Sequence, residues 1–300
     1  KFAYQGVEMG NLGAELSYQP TNDGDHKADA FITFNGTEVA EASGTYYAKG
    51  EGSFAGNVKL KSLPLSMMDA FLEGTQTNMK GALNGELTIV GTADKPVVNG
   101  TLTFDKANLY SHVYGVDLTL ASQPVEIHNS LIQLKDFALT TVDGSPLKMS
   151  GVINMERPEA VFLNIDMIAK NFPVIDTKRK RESLVYGKVL TNFAANIYGT
   201  PSKMTVRGLL TVLDQTDVTY LLTNSPISSG SDISDLVTFT DFSDTLTAVA
   251  PVQQQNSSSL NVALTIRLRQ GARFQCFLTP NGDSYVDVSG EGNLELRMPP

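Results

Sequence analysis

Residues 91–105 read GTADKPVVNGTLTFD, and this stretch decides the fold. Leu102 and Phe104 alternate with threonines, the period-two pattern of a strand that buries one face. Before them, a proline-containing segment lies between Gly91 and Gly100, and proline and glycine both favour tight turns. The stretch therefore predicts a strand, a turn and a second strand that starts at Gly100, where the backbone bends.

A second copy of this pattern occurs at residues 199–214, which read GTPSKMTVRGLLTVLD. It again places a proline between two glycines and continues into an alternating run. Repeated strand–turn–strand units stack on their neighbours and build an elongated sheet. The two copies predict these structural turn residues: Gly91, Pro96, Gly100, Gly199, Pro201 and Gly208.

The same alternation recurs along most of the chain and predicts an all-β fold. We expect one elongated β segment over residues 1–300, with N-terminal strands in 1–80 and a repetitive β region in 81–222. Residues 223–260 are rich in serine and are expected to form an insertion or long loop, before C-terminal strands in 261–300. The clearest helix signal is the segment SMMDAFLE at 66–73, which Ser66 could cap and Gly74 could end.

Composition excludes several functions. The 300 residues carry 32 Asp and Glu against 23 Lys and Arg, a net charge of −9, so a nucleic-acid partner is not expected. The chain has one cysteine, Cys276, and therefore no internal disulfide or paired-cysteine zinc site. It begins at Lys1 without a leader or a long apolar run, and we expect it to be part of a longer protein.

No catalytic arrangement can be assembled from the sequence. His26, His112 and His128 fall in separate segments without carboxylates or cysteines at ligand spacing. Phosphate-binding, dinucleotide-binding and nucleophile-elbow motifs are absent from the sequence. We therefore expect no enzyme activity, no cofactor and no metal site, although acidic turns near residues 23–29 and 232–244 leave a calcium alternative. The basic run at 178–181 is best explained by a solvated turn between strands, with contact to lipid phosphates or to an acidic loop of a partner as the alternatives.

Residues 81–109, GALNGELTIVGTADKPVVNGTLTFDKANL, resemble the TamB-like family. This family contains the inner-membrane subunit of the translocation and assembly module and is related to the AsmA-like proteins. Residues 58–72, VKLKSLPLSMMDAFL, are similar to the strand and short helix that precede this motif in the family. The resemblance covers roughly residues 50–222 and is to the C-terminal region of the family.

The resemblance implies a curved, repetitive, antiparallel or mixed sheet rolled into an open trough with an apolar interior, a β-taco-like fold. It implies a periplasmic location in a diderm bacterium, with the full-length protein anchored in the inner membrane by a segment outside this chain. It also implies a scaffold of outer-membrane biogenesis that supports protein assembly and secretion or conducts phospholipid between the membranes. The implied partners are phospholipid acyl chains and an outer-membrane β-barrel assembly protein of the same module.

The alternation itself suggests why such a sheet could carry lipid. A sheet with one apolar face must cover that face. Acyl chains could fill an open trough, because each methylene group that leaves water contributes about 0.8 kcal/mol of favourable free energy. The lipid-contact candidates are the apolar residues of the strongest alternating runs: Leu87, Ile89, Leu102, Phe104, Leu163, Ile165, Leu210 and Val212.

Two other interpretations remain open at this stage. Alternating apolar residues also form the ordinary closed core of a β-sandwich, which would leave no room for lipid. The chain could then be a secreted or cell-surface β-sandwich binding module, such as an adhesin or a glycan binder.

Overall fold

The computed structural model describes residues 2–4, 7–72, 77–179, 184–221, 259–278 and 284–298. Strands form 74% of these residues, which confirms the all-β class. The strands are β1 (Phe2–Tyr4), β2 (Val7–Gly10), β3 (Leu12–Pro20), β4 (His26–Phe34), β5 (Thr37–Tyr47), β6 (Ser53–Pro64), β7 (Thr77–Gly91), β8 (Pro96–Ser111), β9 (Asp117–Leu120), β10 (Val125–His128), β11 (Leu131–Thr141), β12 (Pro146–Asn154), β13 (Phe162–Thr177), β14 (Val185–Thr200), β15 (Lys203–Val212), β16 (Asp217–Leu221), β17 (Ser259–Leu268), β18 (Arg273–Phe277), β19 (Tyr285–Ser289) and β20 (Gly292–Met298).

Helical structure in the described residues is limited to two 3₁₀ segments. The segment predicted as a helix over 66–73 forms a 3₁₀ helix at Leu65–Leu72, directly after β6. Its first residue, Leu65, is buried. A second, single-turn 3₁₀ helix lies at Pro158–Ala160.

One mixed sheet of 18 strands contains all strands except β1 and β2, which pair with each other. From β3 to β8 each strand pairs antiparallel with the next along the chain. Strands β9 and β10 both pair with β8 on one side and β11 on the other. The antiparallel order then continues through β14, which pairs with both β15 and β16. Strands β17 and β18 lie parallel to β15 and β16.

The sheet is interrupted along one line, which we call the crease. Strand β8 pairs with β10 through Gly100–Leu102 and with β9 through Asn108–Tyr110. The gap between β9 and β10 therefore lies opposite the middle of β8, where Lys106 has a φ of +47°. Gaps between β15 and β16 and between β17 and β18 continue the line further along the sheet. The crease divides the sheet into a first wall, which includes β10, β15, β17 and β20, and a second wall, which includes β9, β16, β18 and β19.

Bulges mark the crease where a strand continues through it. Pairing shifts between Ala169 and Phe172 in β13, and Asn171 there adopts a φ of +49°. The amide of Asn171 donates to the side-chain oxygen of Asn192 on β14 at 2.8 Å. Asp136 on β11 likewise has a positive φ, of +50°, and its backbone amide donates to the hydroxyl of Ser150 on β12. Because a bulge bends its strand and increases the local twist, aligned bulges fold the sheet along this line.

The sheet folds toward its apolar face. Val212 from the first wall and Val218 from the second wall belong to one buried cluster, together with Val189 and Ala272 at the crease. A second buried cluster, built around Phe172, joins strands on both sides of β12. The result is a curved sheet with two walls and an apolar interior, which confirms the predicted trough-like fold.

The structure corrects the predicted turn geometry. Gly91 and Pro96 face each other across the β7–β8 hairpin, and Thr200 and Lys203 do so in the β14–β15 hairpin around Pro201. Gly100 and Gly208 do not start their strands, because β8 begins at Pro96 and β15 at Lys203. Most of the predicted Ser-rich insertion lies outside the described residues, and its last two residues, 259 and 260, belong to β17.

Candidate functional site

All eight predicted lipid-contact residues lie on one face of the sheet. Leu87 pairs with Gly100, which pairs with Ile127 on β10, so Leu102 and Phe104 share the face of Leu87. Ile89, two residues beyond Leu87 on β7, shares it as well. The first wall therefore presents these side chains in adjacent rows.

The same register extends to the candidates in the second half of the chain. Ile127 pairs with Ile132, Ile132 with Ile153, and Ile153 with Leu163. Ile165 follows on the same face of β13 and pairs with Ile197. Through Phe193 and Thr191 of β14, Leu210 and Val212 also join this face. We call this continuous surface the apolar face.

The candidates differ in how much of each side chain is accessible. Leu87, Ile89, Leu102, Phe104, Leu163 and Leu210 are half-buried. Ile165 is buried, and Val212 is 4% exposed because it belongs to the closed cluster at the crease. Val212 therefore stabilises the fold of the sheet, while the half-buried candidates leave apolar surface open on the first wall.

The apolar face is most exposed on the first and last strands. Leu16 on β3 shares the face through its pairing with Ala30 and is 73% exposed. At the other end, Leu294 on β20 pairs with Ile266 and is 55% exposed. The apolar strip therefore runs across the whole sheet without a polar interruption between these strands.

Sequence reasoning missed a row of aromatic rings at one end of the first wall. His26 on β4 stacks between Tyr18 and Tyr46, with ring centroids 5.6 and 6.1 Å apart. The hydroxyl of Tyr18 lies 2.5 Å from Nδ1 of His26. These rings border a cavity of about 400 Å³ whose floor includes Gly44 and Gly56. The missed signal was that His26 starts a strand whose inward residues are otherwise small or apolar.

The polar candidates do not come together. His112, in the turn after β8, lies beside Asn78, and His128 on β10 lies beside Glu126; both are exposed and distant in sequence from His26 on β4. In the described part of the chain, no three His, Cys, Asp or Glu side chains form a group that could hold a metal ion. The acidic residues of 232–244, which the calcium alternative invoked, lie outside the described residues. Within the described ranges, no helix is long and apolar enough to cross a membrane.

Charged side chains tie the last strands together on the polar face. The guanidinium of Arg273 donates to Asp287 at 2.6 Å, which joins β18 to β19. This hydrogen bond lowers the pKa of the Asp287 carboxyl below its usual value, and a second hydrogen bond, from Gln275, adds a smaller effect in the same direction. Arg273 also pairs in register with Asp217 on β16, and their charges attract, so Arg273 links three neighbouring strands.

Comparison with known proteins supplies the family. Searches of the curated proteins and of the solved structures find no significant match to this chain. The model of the TamB C-terminal domain matches residues 135–300. The matched region begins after the 81–109 motif and covers β12 to β20 completely. Because it covers more than half of the chain, the chain belongs to the TamB family.

Proposed function

We propose that this chain is a periplasm-spanning scaffold of outer-membrane biogenesis whose apolar face conducts phospholipid acyl chains between the two membranes. Membership of the TamB family supports a role in outer-membrane biogenesis, in lipid or protein transport. The observation that carries the lipid proposal is the uninterrupted apolar face, which joins half-buried residues of the first wall from β3 to β20.

The physical argument rests on what an open apolar surface requires. The closed clusters around Val212 and Phe172 already stabilise the crease, so the first wall does not need to close on itself for the fold to form. Its exposed apolar side chains gain free energy from any apolar occupant, about 25 cal/mol for each Å² removed from water. An acyl chain meets this need without directional contacts and can slide between equivalent rows of side chains.

An outer-membrane β-barrel assembly protein of the same module is the proposed protein partner, and support of outer-membrane protein assembly and secretion is the proposed companion role. We propose that the chain acts without catalysis, because its histidines lie in different parts of the sheet and contact different residues: Tyr18, Asn78 and Glu126.

The test is mass spectrometry of lipids that copurify with the chain from a diderm host in the absence of detergent. Two variants, Leu102→Arg and Leu163→Arg, place a charge on the apolar face of different strands. The control is Asn164→Arg, which places the same charge on the polar face beside Leu163.

We expect phospholipid with the wild-type chain and with Asn164→Arg, and a strong loss with both inward variants. Circular dichroism must show that all four proteins are folded. A folded wild-type chain without lipid, or lipid retained equally by the inward variants, contradicts the conduit.

A further inference from the structure

A second concave surface lies on the opposite, polar face of the sheet. It is a groove of about 1070 Å³ across β4 to β8. Five strands spaced about 4.8 Å apart give it a length near 19 Å. A groove of this volume is in the range that binds small molecules or a segment of a polymer.

Two cross-strand rows of side chains form the floor. One row contains Ser43, Asn57 and Thr88, which face each other on β5, β6 and β7. It begins with Asp29 on β4. The second row starts with Phe31 on β4 and is then charged or polar. Its members in strand order are Phe31, Glu41, Lys59, Glu86 and Thr101.

The lysines of the groove are neutralised by carboxylates. Lys59 lies 3.1 Å from Glu86, and Lys61 lies 2.7 Å from Glu38 and 2.6 Å from Glu41. The hydrogen bonds that Lys61 donates to Glu38 and then Glu41 raise its pKa above the ordinary value, so this lysine stays charged and paired. A phosphate or an anionic lipid headgroup would have to break these pairs, so the groove is poorly suited to anions.

Hydrogen-bonding groups outside these ion pairs remain available for a ligand. Asn57 accepts a hydrogen bond from Thr88 through its oxygen, at 3.1 Å, which leaves its amide hydrogens for a ligand. Asn84 likewise accepts from the amide of Ser62 through its oxygen. Asp29 has no hydrogen-bond or ion-pair partner in the described part of the chain and offers two acceptor oxygens.

Phe31 is the exception to this polar lining. Its side chain lies on the polar face, beside Asp29 on β4 and opposite Glu41 on β5, and is 44% exposed. Peptides that add a strand or insert an amphipathic helix need a free strand edge or an apolar groove, and this polar surface in the middle of a sheet provides neither. Hydroxyl, amide and carboxylate groups around one exposed aromatic ring instead match a sugar, which presents hydroxyl groups at its edge and C–H groups on its face.

The geometry points to a binding site for an uncharged glycan chain on the polar face of the first wall. Phe31 packs against the face of one sugar, while Asp29, Asn57 and Asn84 bind hydroxyl or acetamido groups along the chain. This site is independent of the lipid path, because its side chains and those of the apolar face point to opposite sides of the same strands.

The test uses a tetrasaccharide of β-1,4-linked N-acetylglucosamine as the probe, with binding to the folded chain measured by calorimetry and by saturation-transfer NMR. We expect saturable binding to the wild-type protein. Phe31→Ala and Asn57→Ala should each weaken it roughly tenfold, because each removes a main contact. Both side chains are exposed, so the variants should fold.

The matched control is Ile168→Ala, which removes an exposed apolar side chain from the same face outside the groove. It should bind the tetrasaccharide like the wild type. The site is refuted if millimolar tetrasaccharide does not bind, if all three variants bind equally, or if acidic or basic peptides compete fully for the groove. Copurified lipid should be unchanged in Phe31→Ala, so this result stands apart from the conduit test.

Discussion

The rings of Phe104 and Phe137 meet edge to face, with centroids 5.7 Å apart, although their strands are separated by the line of β9 and β10. The two rings are therefore in contact across the gap between β9 and β10. Phe137 is buried and Phe104 is half-buried. The contact joins β8 to β11 at the crease, where neither β9 nor β10 lies between them.

Phe137→Ala should destabilise the protein by about 3–5 kcal/mol, because a buried aromatic side chain leaves a cavity. A double-mutant cycle with Phe104→Ala should give a coupling of about 0.5–1.5 kcal/mol. Urea unfolding measures both values. Ile168→Ala, at an exposed site, should cost no more than about 0.5 kcal/mol, and equal losses at the two sites would contradict the role of the crease.

Asn192→Ala should lower the free energy of unfolding by about 1 kcal/mol, because the amide of Asn171 in the β13 bulge loses its acceptor. Asn196 is the control, since its side chain donates to Asn164 and Asp166 on the polar face, away from the bulge. Hydrogen exchange at Asn171 should accelerate in Asn192→Ala and not in Asn196→Ala. Unchanged exchange in both variants would show that this bulge does not need its side-chain acceptor.

Gly208→Ala should destabilise the β14–β15 pairing by about 1–3 kcal/mol. A Cβ atom there would lie 2.5 Å from the carbonyl oxygen of Ala194 and 2.7 Å from Cα of Ala195. Gly292→Ala is the matched control, because a Cβ atom at that position meets no atom within 4 Å. Thermal unfolding of the two variants compares them directly, and similar melting temperatures would argue against close approach at Gly208.

The contribution of Lys188 to the stability of the fold should depend on pH. Its ammonium lies 3.1 Å from Asp176 and 3.2 Å from Asp143, and these hydrogen bonds raise its pKa. Because the pKa of Lys188 is raised in the folded protein, its ion pairs stabilise the fold fully below the ordinary lysine pKa of about 10.4. This stabilisation is lost as the pH rises through the pKa of Lys188 in the folded protein. The side chain is 37% exposed, so screening limits the effect to less than about 1 kcal/mol.

Lys188→Met should therefore be slightly less stable than the wild type at neutral pH, with the difference disappearing above the raised pKa. Urea midpoints of both proteins across this pH range provide the measurement. A difference that persists in strong alkali would mean that lost packing of the lysine stem, and not its charge, causes the effect.

The period-two pattern predicted the apolar face correctly because each strand carries its own alternation. The local sequence around Leu87 and Leu163 was enough to predict that both side chains point inward. The pairing of the strands then places them on one face. The burial of Val212 could not be predicted in this way. It depends on Val218 and Ala272, which reach it only because the strands break at the crease.

The crease itself has a weak sequence signal. Asn171 and Asp136 belong to residue types that tolerate positive φ, but Lys106 does not, and all three occupy such a conformation. A bulge is a property of two strands in register, so one strand alone does not reveal it. The groove on the polar face was missed for a similar reason, because its rows combine single residues from five strands.

The parallel pairing of β15 with β17, and of β16 with β18, has a kinetic consequence. Hairpins such as β7–β8 can form as soon as both strands exist, since their partners are neighbours along the chain. Strands β17 and β18 instead need β15 and β16 already in place, and their pairing joins residues that are far apart along the chain. The sheet should therefore mature in order, with β19 and β20 added last onto a template that the earlier hairpins have built.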